Sequence, residues 1–281
     1  MKDFSFVDET FDINRTNTYE RSIQLSLNGF SLSVIDLVRN KFTLLKHYDL
    51  TNKLSFEDKA DEIQSIIQKD KHLNAPYKYT KALVISPKSV LIPNELFDQN
   101  FAKKYFEFNH KLEELEEIHF NYNNTIQAVN LFTIPNPISN VLFEAFGKIN
   151  LYHQFTPFHN YHLRQHYEKN ITAVYLYENF IDIGVFQDQK LKFYNNFLIQ
   201  SREDILYFIL YVYKQLKLSR SENDLHISGN LKLFPELDAL LKQYVKKVHF
   251  QKAPKDFTYS YTFKKDQMNH FTNLFRLKLC E

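Results

Sequence analysis

The sequence predicts an α/β protein of two duplicated lobes, each with the element order βββαβαβα, and an inserted subdomain in the first lobe. The main observation is a repeat, because residues 21–49 return in pattern as residues 171–199. Each copy reads as three apolar, β-branched runs separated by short turns, which predicts a three-strand meander made twice. Each meander also precedes helix and strand patterns in the same order. The predicted lobes are residues 1–169 and 170–281.

The elements that follow the first meander are predicted from apolar spacing. Residues 55–71 predict an amphipathic helix with Ser55 as its N-cap, since apolar residues recur there at spacings of three and four. The region from about 77 to 124 has no counterpart in the second half and is expected to form the inserted subdomain. A strand, a helix, a strand and a further helix then complete the lobe, at residues 125–134, 137–146, 149–155 and from Thr156 onward.

The second meander is followed by the same order of elements without an insertion. Its apolar patterns alternate between helical and strand periods. The predicted helix, strand, helix, strand and helix lie at residues 202–218, 224–227, 231–245, 247–250 and 264–279. The agreement between the two halves supports a duplicated fold.

Composition excludes several functional classes. Lysine and arginine number 35 against 33 acidic residues, and a net charge of +2 disfavours nucleic-acid and anionic-membrane partners. The single cysteine, Cys280, excludes an intrachain disulfide framework and a cysteine metal site. Residues 1–21 lack the apolar core of a signal peptide, and the apolar run 205–212 is too short to cross a membrane. We therefore expect a cytoplasmic protein without membrane insertion.

The ordered series of elements resembles the actin-like ATPase superfamily, whose fold consists of two ribonuclease-H-like domains. Residues 128–163 are similar to its strand ending in proline, helix, strand and crossing helix, and residues 171–186 to its second pair of phosphate-binding strands. Residues 225–251 resemble its adenosine segment. The whole chain is also similar to an uncharacterised bacterial family, domain of unknown function 3822, which is understood to share this fold. The resemblance implies an ATP cleft between the two lobes.

The residues that carry the chemistry of that superfamily are replaced at most positions. Phosphoryl transfer needs backbone donors and carboxylates around the phosphates, and the chain has only four glycines. In the first hairpin Asn28-Gly29 predicts a tight type I′ turn, which leaves no phosphate loop. In the second copy the superfamily's aspartate falls at Tyr175 and its glycines at Tyr177, Glu178 and Asn179. We place the candidate nucleotide site, between the lobes, at Asn28, Gly29, Gln154, Glu178, Asn179, Asp182, Ser228, Gly229 and Asn230.

The candidate residues also have plainer interpretations. Gln154 aligns with the superfamily's acidic residue of the crossing segment and cannot act as a general base. Asp182 and Gly229 keep the expected residue type, but a solvent-facing strand carboxylate is the commoner explanation of Asp182, and a tight turn from strand to helix, which needs no ligand, is the favoured explanation of Gly229. His159, His162 and His166 are predicted on one helix face, as a pH-sensitive polar surface or as metal ligands. The lysine pairs 246–247 and 264–265 are interpreted as solvated surface.

We therefore predict a non-catalytic protein that acts through an unknown protein partner and carries a degenerate nucleotide site. We predict no catalytic residue, no cofactor and no metal. One alternative is a nucleotide-binding switch or weak ATPase that uses ATP and Mg²⁺ with atypical phosphate motifs. A second is an RNA- or ribosome-associated factor. The sequence leaves the partner, the biological process and the oligomeric state open.

Overall fold

The structure, a computed structural model, describes residues 1–53, 55–147 and 149–280. Its strands, numbered β1 to β15 in chain order, are Phe4–Val7, Tyr19–Ser26, Gly29–Asp36, Lys41–Asp49, Tyr79–Val84, Ser89–Pro93, Glu116–Asn123, Ala128–Pro135, Asn150–His153, Ile171–Leu176, Phe180–Gln187, Lys190–Leu198, Asp224–Gly229, Val248–Phe250 and Thr258–Tyr259. Its α-helices, α1 to α9, are Phe56–Lys69, Lys71–Asn74, Ala102–Glu107, Asn136–Phe146, Phe155–Arg164, Arg202–Gln215, Leu237–Lys242, Lys265–His270 and Thr272–Arg276.

Two sheets have the same strand order, as the duplication predicts. One runs β1-β4-β3-β2-β5-β9, with β15 added to β4, and the other runs β12-β11-β10-β13-β14. In each sheet a three-strand antiparallel meander is extended by two strands parallel to its first strand. The α/β fold of two duplicated βββαβαβα lobes is therefore confirmed.

The turns of the two first hairpins correspond to each other one residue away from the gapless alignment of residues 21–49 with 171–199. Ser26 is the last paired residue before the first turn, and its counterpart is Tyr177, which donates its N–H to Phe180 O at 3.0 Å. The gapless alignment pairs Ser26 with Leu176 instead. The connection between β3 and β4 is two residues longer than the one between β11 and β12, so the third strands are displaced from that alignment by one residue in the opposite direction.

Each sheet packs its core face against a helix that starts with the same capping box. Ser55 Oγ accepts from Asp58 N at 3.0 Å, and Ser201 Oγ accepts from Asp204 N at 3.2 Å, while both aspartates bond back to the cap. Two backbone donors at each helix start are thereby satisfied. The prediction of Ser55 as N-cap is confirmed, and α6 repeats the arrangement. The main buried residues of the helices are Ala60, Ile63 and Ile67 in α1 and Ile205, Ile209 and Val212 in α6.

The inserted subdomain lies later in the chain than the sequence indicates. β5, which falls within the predicted insertion of 77–124, pairs in parallel with β2 and is the fifth strand in the order of the core sheet. The strand predicted over 125–134, β8, instead forms the centre of a separate antiparallel sheet of order β6-β8-β7. Both segments are short apolar runs, and local period alone cannot tell which sheet such a run joins.

Two predicted helices are shorter or broken. Residues 231–245 form a 3-10 turn and the short helix α7, and residues 264–279 form α8, α9 and a closing 3-10 turn. Glu236, with a φ of 62°, interrupts the first pattern before α7 begins. Among the described residues, no helix is both long enough and apolar enough to cross a membrane.

The chain divides by its internal contacts into two compact units. Unit 1 is Met1–Thr156 with Lys255–Phe263, and unit 2 is Pro157–Pro254 with Lys264–Glu281. The segment that returns to unit 1 contributes β15, whose Tyr259 stacks on Phe42 of β4 with ring centroids 5.5 Å apart. The predicted lobe boundary after residue 169 stays a prediction.

Candidate functional site

The first hairpin of unit 1 turns one residue earlier than predicted. Ser26 pairs with Gly29, so the two turn residues are Leu27 and Asn28. Neither of these nor Gly29 is among the described residues with positive φ, and a type I′ turn requires positive φ at both central positions. The type I′ prediction is therefore wrong. The prediction of a two-residue turn without a longer loop agrees with the observed pairing.

The need for glycine at position 29 comes from a close neighbouring side chain and not from the conformation of the turn. A Cβ at this position would lie 2.5 Å from Cε1 of His47, a buried residue of β4. The His47 ring is held by Ser31, whose hydroxyl lies 2.9 Å from Nδ1, and it stacks on Phe4. Burial lowers the pKa of His47 to about 4, so the ring is neutral at pH 7. The glycine thus accommodates a buried histidine.

Gln154 follows β9 and has a structural role in unit 1. Its Oε1 accepts from the backbone N–H of Ser86 at 2.9 Å, and its Nε2 donates to Ser86 O at 2.8 Å. The preceding residue, His153, places Nε2 2.9 Å from the same Ser86 oxygen, and burial lowers its pKa to about 4. Gln154 is fully buried. Its amide therefore ties the end of β9 to the chain that leaves β5.

The two buried histidines predict that stability falls in mild acid. An unfolded histidine takes up a proton near pH 6.5, while folded His47 and His153 do so only near pH 4. As pH falls below about 6.5 the unfolded state is therefore favoured, by about 1.4 kcal/mol per pH unit for each histidine, until about pH 4. Urea unfolding followed by circular dichroism between about pH 7 and about pH 5 measures this slope. His47→Gln should reduce the slope and His166→Gln, at an exposed position, should not; an unfolding midpoint independent of pH contradicts the assignment.

The second hairpin has the turn that the sequence predicts. Glu178 and Asn179 are both exposed and join β10 to β11, and Asn179 O accepts from Ile199 N at 2.9 Å. No wider loop separates the strands at this point. The turn therefore offers few backbone donors for a phosphate.

The strand end beside this turn is filled by tyrosine side chains and the C-terminal segment. Tyr175 and Tyr177 are 2% and 8% exposed. The Tyr175 hydroxyl donates to His270 O at 2.7 Å and lies 3.2 Å from Thr272 Oγ1. Burial raises the pKa of both tyrosines, so both stay protonated at pH 7. Carboxyl ends of parallel strands are common ligand sites, and within unit 2 this one is covered by its own chain.

A buried chain of hydrogen bonds joins a carboxylate to a guanidinium in unit 2. Tyr177 donates to Asp182 Oδ2 at 3.2 Å, and Asn273 Nδ2 donates to the Tyr177 hydroxyl at 2.9 Å. Arg276 Nη1 in turn donates to Asn273 Oδ1 at 3.2 Å. Asp182, Asn273 and Arg276 are fully buried, and the Arg276 guanidinium lies 3.7 Å from the ring centroid of Tyr161. The interpretation of Asp182 as a solvent-facing carboxylate is wrong, because Asp182 is fully buried and accepts a hydrogen bond from Tyr177.

The segment Ser228-Gly229-Asn230 closes tightly on β10. Gly229 has a φ of 96°, and a Cβ there would lie 2.3 Å from Leu176 O. Ser228 donates its hydroxyl to Val174 O at 3.3 Å, and Asn230 donates its N–H to Leu176 O at 3.0 Å. These donors satisfy neighbouring strand carbonyls. The structure thus supplies the plainer explanation of Gly229, a turn that only glycine allows.

Each unit brings some of the candidate residues to one sheet edge. In unit 1, Asn28 and Gln154 lie at the carboxyl ends of β2 and β9, with β5 between them. In unit 2, Tyr175 pairs with both Asp182 and Ser228. The residues that sequence reasoning missed are Asn273 and Arg276. Their signal was weak, because they lie far along the chain from the strands they contact.

The predicted histidine face of α5 is wrong in two respects. The helix ends at Arg164, and His166 lies beyond it with a φ of 45°, so it does not share a helix face with His162. His159 and His162 are buried and do not form a polar surface. Burial lowers the pKa of both, and the nearby charge of Arg276 lowers that of His162 further. Neither ring is a pH-sensitive surface charge.

A different group of potential metal ligands lies on β13 and β14. Asp224 and His226 are two residues apart on β13, and His226 pairs with His249 of β14. Burial lowers the pKa of His226 to about 4, so its ring is neutral at pH 7. The sequence signal was the Asp-Leu-His spacing on a predicted strand, which places both side chains on one face. The histidines singled out from the sequence were those of α5 instead.

Comparison with known proteins supports the architecture. A family model described as "Protein of unknown function (DUF3822)" matches residues 8–248. No curated protein matches the chain. A crystal structure from Bacteroides thetaiotaomicron VPI-5482, described as a protein with actin-like ATPase fold and unknown function, is 25% identical over 97% of this chain and 100% of that chain, with a TM-score of 0.83.

Two more distant structures share the fold. The PilM-PilN type IV pilus biogenesis complex contains a chain with a TM-score of 0.63 and 9% identity, over 93% of this chain and 98% of that chain. The ethanolamine utilization protein EutJ from Carboxydothermus hydrogenoformans has a TM-score of 0.54 and 9% identity, over 98% of this chain and 93% of that chain. The fold is therefore that of the actin-like ATPases, as the resemblance implied.

Proposed function

We propose a function from the premise that the chain belongs to the family described as "Protein of unknown function (DUF3822)" and has the actin-like ATPase fold. The protein binds a partner protein and does not hydrolyse ATP. One observation carries the proposal: Asp182, which keeps the carboxylate type of the superfamily, is fully buried and accepts a hydrogen bond from Tyr177. A carboxylate in that position is not exposed to coordinate Mg²⁺.

The inserted subdomain supplies a suitable surface for a partner. Phe97 lies at the centre of an aromatic cluster, with its ring centroid within 6.2 Å of those of Tyr105, Phe120 and Tyr122. Tyr122 is 60% exposed, and Leu96, which precedes Phe97 in the chain, is 65% exposed. The other three rings are partly buried, and exposed apolar side chains at the edge of such a cluster are typical of protein-binding surfaces.

The charge balance favours a protein partner over a nucleic acid. The chain has a net charge of +2, whereas nucleic-acid binding relies on neutralising many phosphates with lysine and arginine. PilM, which shares the fold at low identity, is found in a complex with PilN. That precedent supports partner binding as a use of this fold and identifies no partner for this chain.

Substituting the aromatic cluster tests the proposal. The double variant Leu96→Ser/Tyr122→Ser should lose the protein that the unmodified chain captures from its own cells, as measured by quantitative affinity purification. Both side chains are more than half exposed, so the fold should be retained. The matched control is Tyr207→Ser/Tyr211→Ser, which removes an exposed aromatic pair from α6. A captured set that is the same for both variants and for the unmodified chain contradicts the proposed surface.

A further inference from the structure

Three side chains with metal-binding chemistry lie together where β13 meets β14. Asp224 and His226 share one face of β13, and His249 of β14 lies opposite His226 in the strand pairing. One ligand atom from each residue lies within 4.8 Å of the other two. His249 Nε2 lies 3.1 Å from Asp224 Oδ2. Strand pairing therefore holds two imidazoles and one carboxylate together.

We propose that Asp224, His226 and His249 bind a divalent transition-metal cation, with Zn²⁺ as the ion for the test. Two imidazoles and a carboxylate are a common ligand set for such ions, and three protein ligands leave a position for water. The His249 side chain is 50% exposed and can turn toward an ion with little loss of packing. This inference is independent of the proposed partner binding.

The surroundings of Asp224 favour a cation. Its Oδ1 atom is buried and has no hydrogen-bond partner in the part of the chain that the structure describes. The Lys247 ammonium lies 4.0 Å from this oxygen, at the limit of an ion pair. A buried carboxylate oxygen without a hydrogen bond carries a desolvation cost. A bound cation offsets that cost, and the half-exposed Lys247 can move into solvent.

Gln251 determines which nitrogen of His226 carries its proton. Gln251 Oε1 accepts from Arg276 Nη2 at 3.0 Å, so the Gln251 amide nitrogen faces His226 Nδ1, at 3.2 Å. His226 Nδ1 then acts as the acceptor, and the proton of the neutral ring lies on Nε2. A metal ion that binds Nε2 must replace this proton, and the ring then prefers an acceptor beside Nδ1. The wild-type amide does not supply one.

Zinc titration tests the ligand set. The untagged chain should bind one Zn²⁺ per molecule in the micromolar range by isothermal titration calorimetry. Asp224→Asn and His249→Gln should each weaken binding by at least ~10-fold, the lower end of the effect of losing even an outer-shell partner. The matched control is His119→Gln, which removes a histidine paired with a single carboxylate, that of Glu117, and should leave Zn²⁺ binding unchanged.

Gln251→Glu gives the opposite result and separates metal binding from loss of folding. A carboxylate at 251 accepts from Arg276 and from a protonated His226 Nδ1, so Zn²⁺ affinity should rise by ~10-fold. A gain in affinity cannot result from misfolding. The absence of stoichiometric binding in the micromolar range, or binding that Asp224→Asn and His249→Gln leave unchanged, overturns the proposal.

Discussion

Gly229→Ala is expected to lower the free energy of unfolding by at least ~3 kcal/mol, because strain and overlap add at this position. The residue has a φ of 96°, which an alanine rarely adopts, and the new Cβ would lie 2.3 Å from Leu176 O. That oxygen belongs to the backbone of β10, so the overlap is relieved only if β13 moves away. The chain has no tryptophan, so urea unfolding is best followed by far-ultraviolet circular dichroism.

Gly147→Ala is the matched control for this substitution. Gly147 also has a positive φ, of 66°, but an added Cβ would have no atom within 4 Å. Only backbone strain opposes the alanine, and the expected cost is ~1 kcal/mol. If the two variants were equally stable, the close approach of Gly229 to Leu176 would not be the reason for glycine at this position.

Asn273→Leu is expected to cost ~2–4 kcal/mol, because it removes a hydrogen bond to a charged group and leaves buried polar groups with one partner fewer. The amide joins the Arg276 guanidinium to the Tyr177 hydroxyl, and all three side chains are buried. Leucine fills a similar volume but accepts no hydrogen bond. Arg276 then loses an acceptor inside the protein, where water does not replace it. Urea unfolding of the variant and of the unmodified chain measures the difference.

The double variant Asn273→Leu/Arg276→Met separates this effect from simple loss of packing. Removing the buried charge together with its acceptor should restore part of the lost stability, because an apolar pair needs no hydrogen bonds. A double variant less stable than Asn273→Leu alone contradicts the electrostatic explanation. It would place the cost in the contacts of Arg276 with Tyr161 and with Gln251 Oε1 instead.

The duplicated fold is predictable because its signals are local. The apolar runs of each meander and the cap at Ser55 are read from a few neighbouring residues. The one-residue displacement of the first turn could not be predicted from the sequence, since Asn28-Gly29 is the favoured pair for a type I′ hairpin. Gly29 instead lies in β3 and packs against His47 of β4, and this contact is not visible in local sequence.

Sheet membership was the main failure of the fold prediction. The strands β5 and β8 are both short, apolar and bounded by turn residues, and the sequence assigned each to the wrong sheet. The placement of β5 depends on its pairing with β2, and that of β8 on its pairing with β6 as well as with the neighbouring β7; β2 and β6 both lie far along the chain. Such long-range pairing is set by packing and not by periodicity.

Of the candidate site, the sequence predicted only which residues of the superfamily are missing. The replacement of the superfamily's aspartate and glycines by Tyr175 and Tyr177 was visible in the sequence. Asn273, which hydrogen-bonds to both tyrosine hydroxyls, lies far along the chain from them and shares no motif with the strands. A single sequence gives no signal for that contact.

Isothermal titration calorimetry with ATP and with ADP, each with Mg²⁺, most directly tests whether the nucleotide site is lost. If Tyr175, Tyr177 and the C-terminal segment occupy the strand end of unit 2, neither nucleotide should give a binding isotherm at concentrations up to millimolar. Stoichiometric binding of either nucleotide in the micromolar range would contradict a degenerate site and favour a nucleotide-dependent switch.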